Sequence, residues 1–314
     1  SHAAPPALIR HRPMTPRIVS LLPGATEIVA ALGLSDELVG ISAECDTPAA
    51  VMDRPRVSLG VMETDGIDPA DIDAAVRDRL ARGEPLFRAD HAALRRLQPT
   101  LILSQSLCDV CAATPGSLCA EAIGDATVLA LDGRDLDGLL ADINRVADAA
   151  GRPARGRRLV ASLSARRDAI TCRTDPPPRV LAVEWPDPLF VGGHWVPDMI
   201  ATAGGEPFNA PGDHSVVIDW DAVRAFAPTH IVVMPCGESL TGAANALAPL
   251  RHRPGWHTLP AVRDGTVYLV DGNRFFSRPG PAAFTGLEII AAILGTGAQT
   301  DPAPGFWQRA GVAA

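Results

Sequence analysis

Two stretches of this sequence share one pattern, and this internal repeat restricts the possible folds more than any other feature. HAALRRLQPTLILSQ (91–105) has the apolar spacing of a helix, then Pro-Thr, then an apolar strand, and AVRAFAPTHIVVMP (222–235) repeats that order. Two further pairs of apolar, strand-like runs match between the halves of the chain: RIVSLLP with RVLAVEW, and VLALDG (128–133) with VYLVDG (267–272). Strands that alternate with helices form mostly parallel sheets. The repeat therefore predicts two similar α/β lobes whose strand ends face a shared ligand cleft.

The residues between the two copies have a different pattern. Helical periodicity runs through DLDGLLADINRVADAAG, then resumes at Pro153, a residue suited to a first helical turn, and continues to Thr171. At 1.5 Å per residue the second helix would be about 28 Å long, which is enough to span a domain. We therefore divide the chain into an N-terminal extension (1–16), an N-terminal α/β lobe (17–134), a helical linker with one long connecting helix (135–178), a C-terminal α/β lobe (179–296) and a C-terminal tail (297–314).

The composition is that of a globular protein with no affinity for nucleic acid or membrane. A chain of 314 residues that is 47% hydrophobic can bury a sizeable core. Its net charge is −8, so we expect no basic face for nucleic acid or anionic lipid. No window approaches the roughly 20 apolar residues of a membrane span, so we expect no direct membrane insertion. The N-terminus lacks an apolar export signal, which predicts a cytoplasmic location, or a periplasmic or extracellular one if a signal was trimmed.

Two thiols follow one predicted strand, three residues apart, in LSQSLCDVC. The six cysteines are too sparse for a disulfide scaffold, so we expect free thiols. Thiolate and imidazole suit Zn²⁺, and Fe or Cu(I) less well. The candidate metal ligands, all at or just after predicted strand ends, are Cys45, Cys108, Cys111, His194 and Cys236. Two alternatives stay open: packing of the thiols in the core, and a redox switch formed by Cys108 and Cys111.

Several polar and aromatic residues of the second half follow predicted strands. His194 comes after two glycines that allow close approach of a ligand to the backbone, or it caps the next helix. Trp195 is either a stacking surface for a planar ligand or a core anchor. Glu184 ends a buried strand, so its carboxylate must be paired, liganded or solvated in the cleft. Arg274 and Arg278 could clamp a carboxylate or phosphate of a ligand, although a solvated loop is the favoured interpretation.

Five phrases of the sequence resemble one protein family. They are RIVSLLPGATEIVAALGL, LVGISAECD, PTLILSQSLCDVC, GGHWVPDMIATAGG and DGNRFFSRPGPAAFTGLEIIAAIL. Together they resemble the BtuF-like cobalamin-binding proteins, a family within the helical-backbone class of substrate-binding proteins of ABC transporters, which also includes haem, siderophore and metal receptors. The resemblance covers about residues 17–294. It implies two Rossmann-like lobes, a rigid connecting helix and a ligand held between the lobes.

The resemblance also implies how a corrinoid would be held, and this sequence departs from that pattern. Vitamin-binding relatives clamp the ring between aromatic side chains of both lobes, whereas Phe87 is the only aromatic residue between Arg17 and Arg134. A one-sided platform remains, in which Trp185 and Trp195 cover one face and His194 or a thiol reaches the metal. The predicted ligand-binding residues are Trp185, His194, Trp195, Arg274 and Phe275.

Two hypotheses follow. The first is a non-enzymatic binding protein for cobalamin, another corrinoid or another metal-containing small molecule, with an ABC permease as partner if the protein is exported. The second is a cytoplasmic metal-site protein or metalloenzyme that uses zinc or iron, with Glu44 or Glu184 as general base. The sequence has no G-x-S-x-G elbow, no P-loop and no G-x-G-x-x-G after a strand, which favours the non-enzymatic hypothesis.

Overall fold

The protein folds into two α/β lobes joined by a pair of helices. A computed structural model describes residues 15–62, 66–107, 114–171, 175–297 and 301–311. Each lobe is built on one mostly parallel sheet, and the two predicted copies of the repeat lie in different sheets. The predicted fold class is therefore confirmed.

The N-terminal lobe is built on the first sheet. Its strand order is β4-β3-β2-β1-β5-β6, and every neighbouring pair is parallel except β3 and β4. The elements are β1 (Ile18–Ser20), α1 (Pro23–Ala31), β2 (Leu38–Ser42), β3 (Arg56–Gly60), α2 (Pro69–Ala81), β4 (Phe87–Ala89), α3 (His91–Leu97), β5 (Leu101–Gln105), α4 (Ala120–Ile123) and β6 (Thr127–Leu131). The sequence patterns did not predict α2, because none of its 13 residues is buried and it has no apolar stripe.

The linker consists of α5 (Leu136–Ala149) and α6 (Pro153–Asp168), which pack against each other. At its start α6 is tied to the N-terminal lobe, since Arg155 donates to the carbonyl oxygens of Leu32 (3.0 Å) and Gly33 (2.8 Å). Near its end Arg166 forms an ion pair with Glu288 (2.7 Å) in the last helix of the other lobe. One helix of 16 residues, about 24 Å long, thus contacts both lobes.

The C-terminal lobe is built on the second sheet, with strand order β10-β8-β7-β11-β12-β13 and β9 paired to β7. Strands β7, β9, β11 and β12 are parallel, whereas β8 and β13 run antiparallel to their neighbours. The elements are β7 (Arg179–Pro186), β8 (Leu189–Val191), α7 (Trp195–Thr202), β9 (Glu206–Pro207), β10 (Val216–Val217), α8 (Trp220–Phe226), β11 (His230–Val233), α9 (Leu240–Arg251), α10 (Pro260–Arg263), β12 (Val267–Val270), α11 (Gly272–Phe275), α12 (Ala282–Ile293) and β13 (Trp307–Arg309).

The internal repeat has the same local geometry in both lobes. The residues before the two Pro-Thr pairs, Gln98 and Ala227, both end their helix in the left-handed region, with φ of 44° and 47°. The following threonines make equivalent hydrogen bonds at 2.9 Å: Thr100 N donates to the carbonyl oxygen of Arg17, directly before β1, and Thr229 N donates to that of Arg179, the first residue of β7. The repeated sequence therefore encodes a repeated turn from helix to strand.

Two local features differ from the sequence expectation. We expected Pro23-Gly24 to break the chain before a helix, but Pro23 is the first residue of α1, since its fixed φ suits that position. Residues assigned to a C-terminal tail instead supply β13, which pairs antiparallel with β12. The short run Trp307–Arg309 gave no strand pattern of its own.

Candidate functional site

Hydrogen bonds join the two lobes at three places, each of which includes a residue at or just after a strand end. Arg134, after β6, contacts His214 of the other lobe at 2.9 Å, from Nη1 to Nε2. The Trp185 indole, at the end of β7, donates to the carbonyl oxygen of Pro69 at 3.1 Å. Asp46, after β2, accepts from Arg278. These residues come from distant parts of the chain and meet only in the folded protein.

His194 lies directly before α7 in an unfavourable backbone conformation. Its φ is 56° and its ψ is −118°, a region that side chains with a Cβ rarely adopt. Two backbone hydrogen bonds hold it there: His194 N donates to Asp213 O at 2.5 Å, and Gly212 N donates to His194 O at 3.0 Å. The predicted helix-capping alternative is not seen, because the side chain makes no capping hydrogen bond to α7.

The glycines before His194 accommodate the protein's own chain. A side chain at Gly193 would collide with the backbone of residues 213–215, and one at Gly192 would collide with Met234. The close approach that we predicted from this glycine pair is thus made by the 213–215 loop. This contact brings His214 next to His194, with ring centroids 5.3 Å apart in an edge-on arrangement.

The imidazole of His194 is held in its neutral form. Burial lowers its pKa below the ordinary value of 6.5, and the nearby His214 and Arg134 lower it further. The Nε2 atom is buried and has no hydrogen-bond partner among the described residues. A neutral imidazole with an unused nitrogen is chemically suited to a metal or to a hydrogen-bonding ligand.

Glu184 lies beside the same loop, at the end of β7. The Ser215 hydroxyl donates to its Oε2 at 2.6 Å, and Gly193 N donates to the Ser215 oxygen at 3.1 Å. Burial raises the pKa of Glu184, although the hydrogen bonds from Ser215 and Gly193 act in the opposite direction. The carboxyl group is therefore paired with the protein, one of the three possibilities that we derived for it.

Arg278 is buried at another contact between the lobes, where it meets two carboxylates of the N-terminal lobe. Its guanidinium is 2.6 Å and 2.7 Å from the two carboxylate oxygens of Asp46, and 3.1 Å from Glu27. Burial alone would raise the pKa of Asp46, but Arg278 holds it below the usual value, whereas burial raises the pKa of Glu27. The expectation of a solvated loop is wrong for Arg278, because only 2% of the residue is exposed.

The other predicted ligand-binding residues lie in different environments. Trp185 is partly buried at the cleft, whereas Trp195 is 5% and Phe275 is 6% exposed, both within the hydrophobic core. Arg274 is exposed, with its guanidinium 4.9 Å from the ring centroid of Phe306. Of this set, the structure brings Trp185 and His194 to the strand ends that face the other lobe. A binding role for each of the five remains a prediction.

The predicted metal ligands do not assemble in the described residues. Cys45 is 2% exposed, and its sulfur lies 3.1 Å from the Thr26 hydroxyl. Burial raises the pKa of the Cys45 thiol, which disfavours the thiolate that a metal needs. Cys108 and Cys111 lie outside the described residues, and Cys236 is partly buried after β11. Within the described ranges no three His, Cys, Asp or Glu side chains converge as a metal site.

The two predicted general bases are in different lobes. Glu44 is exposed after β2, where its amide donates to the Ser42 hydroxyl at 3.2 Å, while Glu184 is bonded to Ser215. Their roles in a reaction remain predictions.

Sequence reasoning missed Arg134, Asp46 and Glu27, and it gave little weight to His214. Glu27 and Asp46 lie in two of the phrases that carry the family resemblance, but nothing local in the sequence marks any of these residues as a contact between the lobes. The one available signal was the position of Asp46 and Arg134 just after predicted strands of a parallel sheet, where ligands usually bind.

The comparisons with known proteins agree on the fold. The family model described as periplasmic binding protein matches residues 18–273. A search of curated protein sequences found no significant match. None of the helices in the described residues is long and apolar enough to cross a membrane.

Three solved structures illustrate the similarity. The periplasmic haem-binding protein RhuT from Roseiflexus sp. RS-1 is 24% identical with a TM-score of 0.64, and the match covers 89% of this chain and 98% of that one. IsdE of S. aureus, solved with haem, is 17% identical with a TM-score of 0.67 and the same coverages. The vitamin B12 binding protein BtuF of Vibrio cholerae is 20% identical with a TM-score of 0.58, covering 89% of this chain and 96% of that one.

The family match also corrects one prediction. We expected a cytoplasmic location because no export signal was visible at the N-terminus. That prediction is wrong, because the matching family consists of periplasmic binding proteins, which act outside the cytoplasm.

Proposed function

We propose that this chain, which belongs to the periplasmic binding protein family, binds a planar metal-containing tetrapyrrole in the cleft between its lobes. The ligand would be a corrinoid or a haem, and the protein would act as a carrier and not as an enzyme. An ABC permease would receive the ligand from it. The single observation that carries this proposal is the conformation and environment of His194.

The backbone of His194 supports a functional role. A residue with a side chain at φ of 56° is held at a cost on the order of 1–3 kcal/mol, and such residues are concentrated at binding and active sites. Here the hydrogen bonds with Asp213 and Gly212 fix the conformation. A glycine would adopt it without strain, so an imidazole at this position is best explained by a requirement for the ring.

The electrostatics of His194 support a metal-containing ligand. Only the neutral imidazole can coordinate a metal, and burial together with His214 and Arg134 keeps this ring neutral. Its buried Nε2 has no partner among the described residues, which is an unusual state for a polar atom in a folded protein. Iron and cobalt in planar macrocycles both accept an imidazole nitrogen.

The distribution of aromatic residues indicates how the ring would lie. Phe87 of the N-terminal lobe packs against that lobe's own core, whereas Trp185 lies at the cleft with its indole nitrogen bonded to Pro69. A macrocycle would therefore rest mainly against the C-terminal lobe. This contact corresponds to the one-sided platform that we predicted from Trp185 and Trp195. Trp185 would be its main aromatic residue, because Trp195 is buried.

Absorbance titration tests the proposal. Purified protein is titrated in parallel with hemin and with cyanocobalamin, and a saturable spectral change with one of them at a 1:1 ratio is the expected result. His194→Ala should weaken that binding by about tenfold or more, which corresponds to about 1.4 kcal/mol. His257→Ala, a change at an exposed histidine of the same lobe, serves as the control.

Elemental analysis provides an independent readout. Protein purified without chelator or metal resin, from cells supplied with both tetrapyrroles, should contain near-stoichiometric iron or cobalt. Zinc alone, together with unchanged spectra of both tetrapyrroles, would refute the proposed function and return attention to the cysteines.

A further inference from the structure

Arg134 is a cation at the contact between the lobes, and no described carboxylate forms an ion pair with it. It is exposed, and its Nη1 lies 2.9 Å from Nε2 of His214 in the other lobe. Among the described residues, the side-chain partner of Arg134 is the ring nitrogen Nε2 of His214.

Other arginines, unlike Arg134, form ion pairs with carboxylates. Arg278 is paired with Asp46 and Glu27, Arg166 with Glu288, and Arg145 with Asp132 and Asp142. This chain carries more acidic than basic residues, 36 against 28, so carboxylate partners are plentiful. Arg134 differs from these arginines because its described side-chain partner is a histidine and not a carboxylate.

The geometry of the pair fixes the role of each partner. Guanidinium groups only donate hydrogen bonds, so Nε2 of His214 is the acceptor in this contact. One N–H of Arg134 donates to His214, and this hydrogen bond orients the planar guanidinium. Most of its five N–H donors remain for another partner. A planar fork of donors matches the two oxygens of a carboxylate, or those of a phosphate.

The pair also lies next to the proposed metal contact. The His214 ring is edge-on to His194 at 5.3 Å, and the charge of Arg134 is close enough to lower the pKa of His194. A group held by Arg134 would therefore belong to the same ligand as a metal at His194. A haem carries two carboxylates at the edge of its ring and a cobalamin carries a phosphate in its nucleotide loop, so either ligand could present an anionic group to Arg134.

We propose that Arg134, oriented by His214, binds a carboxylate or phosphate group of the ligand, and that the cleft thereby selects tetrapyrroles that carry such a group over analogues that lack it. This inference rests on the proposed function, and it adds a charge requirement that the fold does not imply. The anionic group would be a ring carboxylate in a haem or the nucleotide-loop phosphate in a cobalamin.

Matched ligands of different charge test the inference. Hemin is compared with its dimethyl ester, which lacks both carboxylates, and cobalamin with cobinamide, which lacks the nucleotide loop and its phosphate. The wild type, Arg134→Gln, Arg134→Lys and the control Arg96→Gln, an exposed arginine of α3, are titrated with the pair that the wild type binds. Thermal unfolding of each variant confirms that it is folded.

The expected result is a selective loss. Arg134→Gln should weaken binding of the ligand that carries the carboxylate or phosphate by about tenfold or more, and change binding of the analogue that lacks it by less than about twofold. Arg134→Lys, which keeps the charge without the fork, should give an intermediate loss, and Arg96→Gln none. Equal losses for both analogues would show that Arg134 only joins the lobes, and would overturn this inference alone. If the wild type bound neither pair, the proposed function and this inference would fail together.

Discussion

Arg278 of the C-terminal lobe and Asp46 of the N-terminal lobe form a two-point ion pair, with nitrogen to oxygen distances of 2.6 and 2.7 Å. Glu27 of α1 also lies within 3.1 Å of the same guanidinium. Next to them, Gly24 approaches Pro279 so closely that a side chain there would collide with the Pro279 backbone. This junction joins the two lobes through residues other than the pair Arg134 and His214.

Replacing Arg278 by methionine should destabilise the protein by about 3 kcal/mol or more. The variant would leave Glu27, only 11% exposed, without its positive partner, and breaking a buried ion pair from one side is strongly unfavourable. Asp46→Asn should cost less, since the Asp46 side chain is 57% exposed. Urea denaturation measures both, with Arg96→Met as the control. A loss below about 1 kcal/mol for Arg278→Met would show that this junction contributes little.

Replacing His194 by glycine should stabilise the protein and weaken ligand binding. Glycine adopts a positive φ freely, so relief of the strain is expected to add about 1 kcal/mol to the free energy of unfolding. His194→Ala keeps the strain and loses the ring, so it should weaken binding with no such gain in stability. Thermal unfolding and absorbance titration of the two variants separate these effects. A glycine variant less stable than the alanine variant would contradict the interpretation of strain.

Ligand binding through His194 should persist below pH 6.5. The folded-state pKa of His194 lies below its ordinary value of 6.5, so the ring is mainly neutral at and just below that pH. Protonation, and with it loss of metal binding, should begin only as the pH falls towards the lowered pKa. Titrations from pH 8 to pH 5 measure this, with His194→Ala as the reference. A midpoint above pH 6.5 would be inconsistent with a lowered pKa.

The exposed helix α2 should be less protected than the buried helix α12, and Trp185 should hold α2 in place. None of its residues is buried, whereas eight of the twelve residues of α12 are. Hydrogen exchange measured by mass spectrometry should therefore be faster in 69–81 than in 282–293. Trp185→Phe removes the bond to Pro69 and should accelerate exchange in 69–81 further.

Trp220→Phe is a matched control for that experiment. The Trp220 indole donates to Pro254 O at 2.7 Å within the C-terminal lobe, so the variant loses the same kind of bond without any link between lobes. Exchange in 69–81 should not change. If both variants affected α2 equally, the contact between Trp185 and Pro69 would have no specific role.

The thiol of Cys45 should be unreactive in the native protein. It is 2% exposed, and burial raises its pKa, so the nucleophilic thiolate is scarce and inaccessible. Alkylation followed by peptide mapping should show modification of the partly buried Cys119 and Cys236 under native conditions, and of Cys45 only after unfolding. Equal native labelling of Cys45 and Cys236 would be evidence against the buried thiol described here.

The sequence alone determined the two α/β lobes, the connecting helix and the turn from helix to strand that each lobe repeats. Those features depend on local patterns: apolar periodicity, the Pro-Thr pairs after Gln98 and Ala227, and Pro153 at the start of α6. The sequence also indicated His194 and Trp185, because both follow strands whose ends must face a cleft in a parallel sheet.

Only the tertiary structure decided which side chains meet. The pairs Arg134 with His214 and Arg278 with Asp46 join residues 80 and 232 positions apart in the chain, and no local pattern encodes such a distance. The same holds for the buried states of Trp195 and Cys45, since an apolar or sulfur side chain after a strand fits a core as well as a cleft. The strain at His194 likewise arises from the 213–215 loop packed against Gly193. Hydrophobic periodicity fixes the elements, whereas packing between the lobes fixes the charge and geometry of the site.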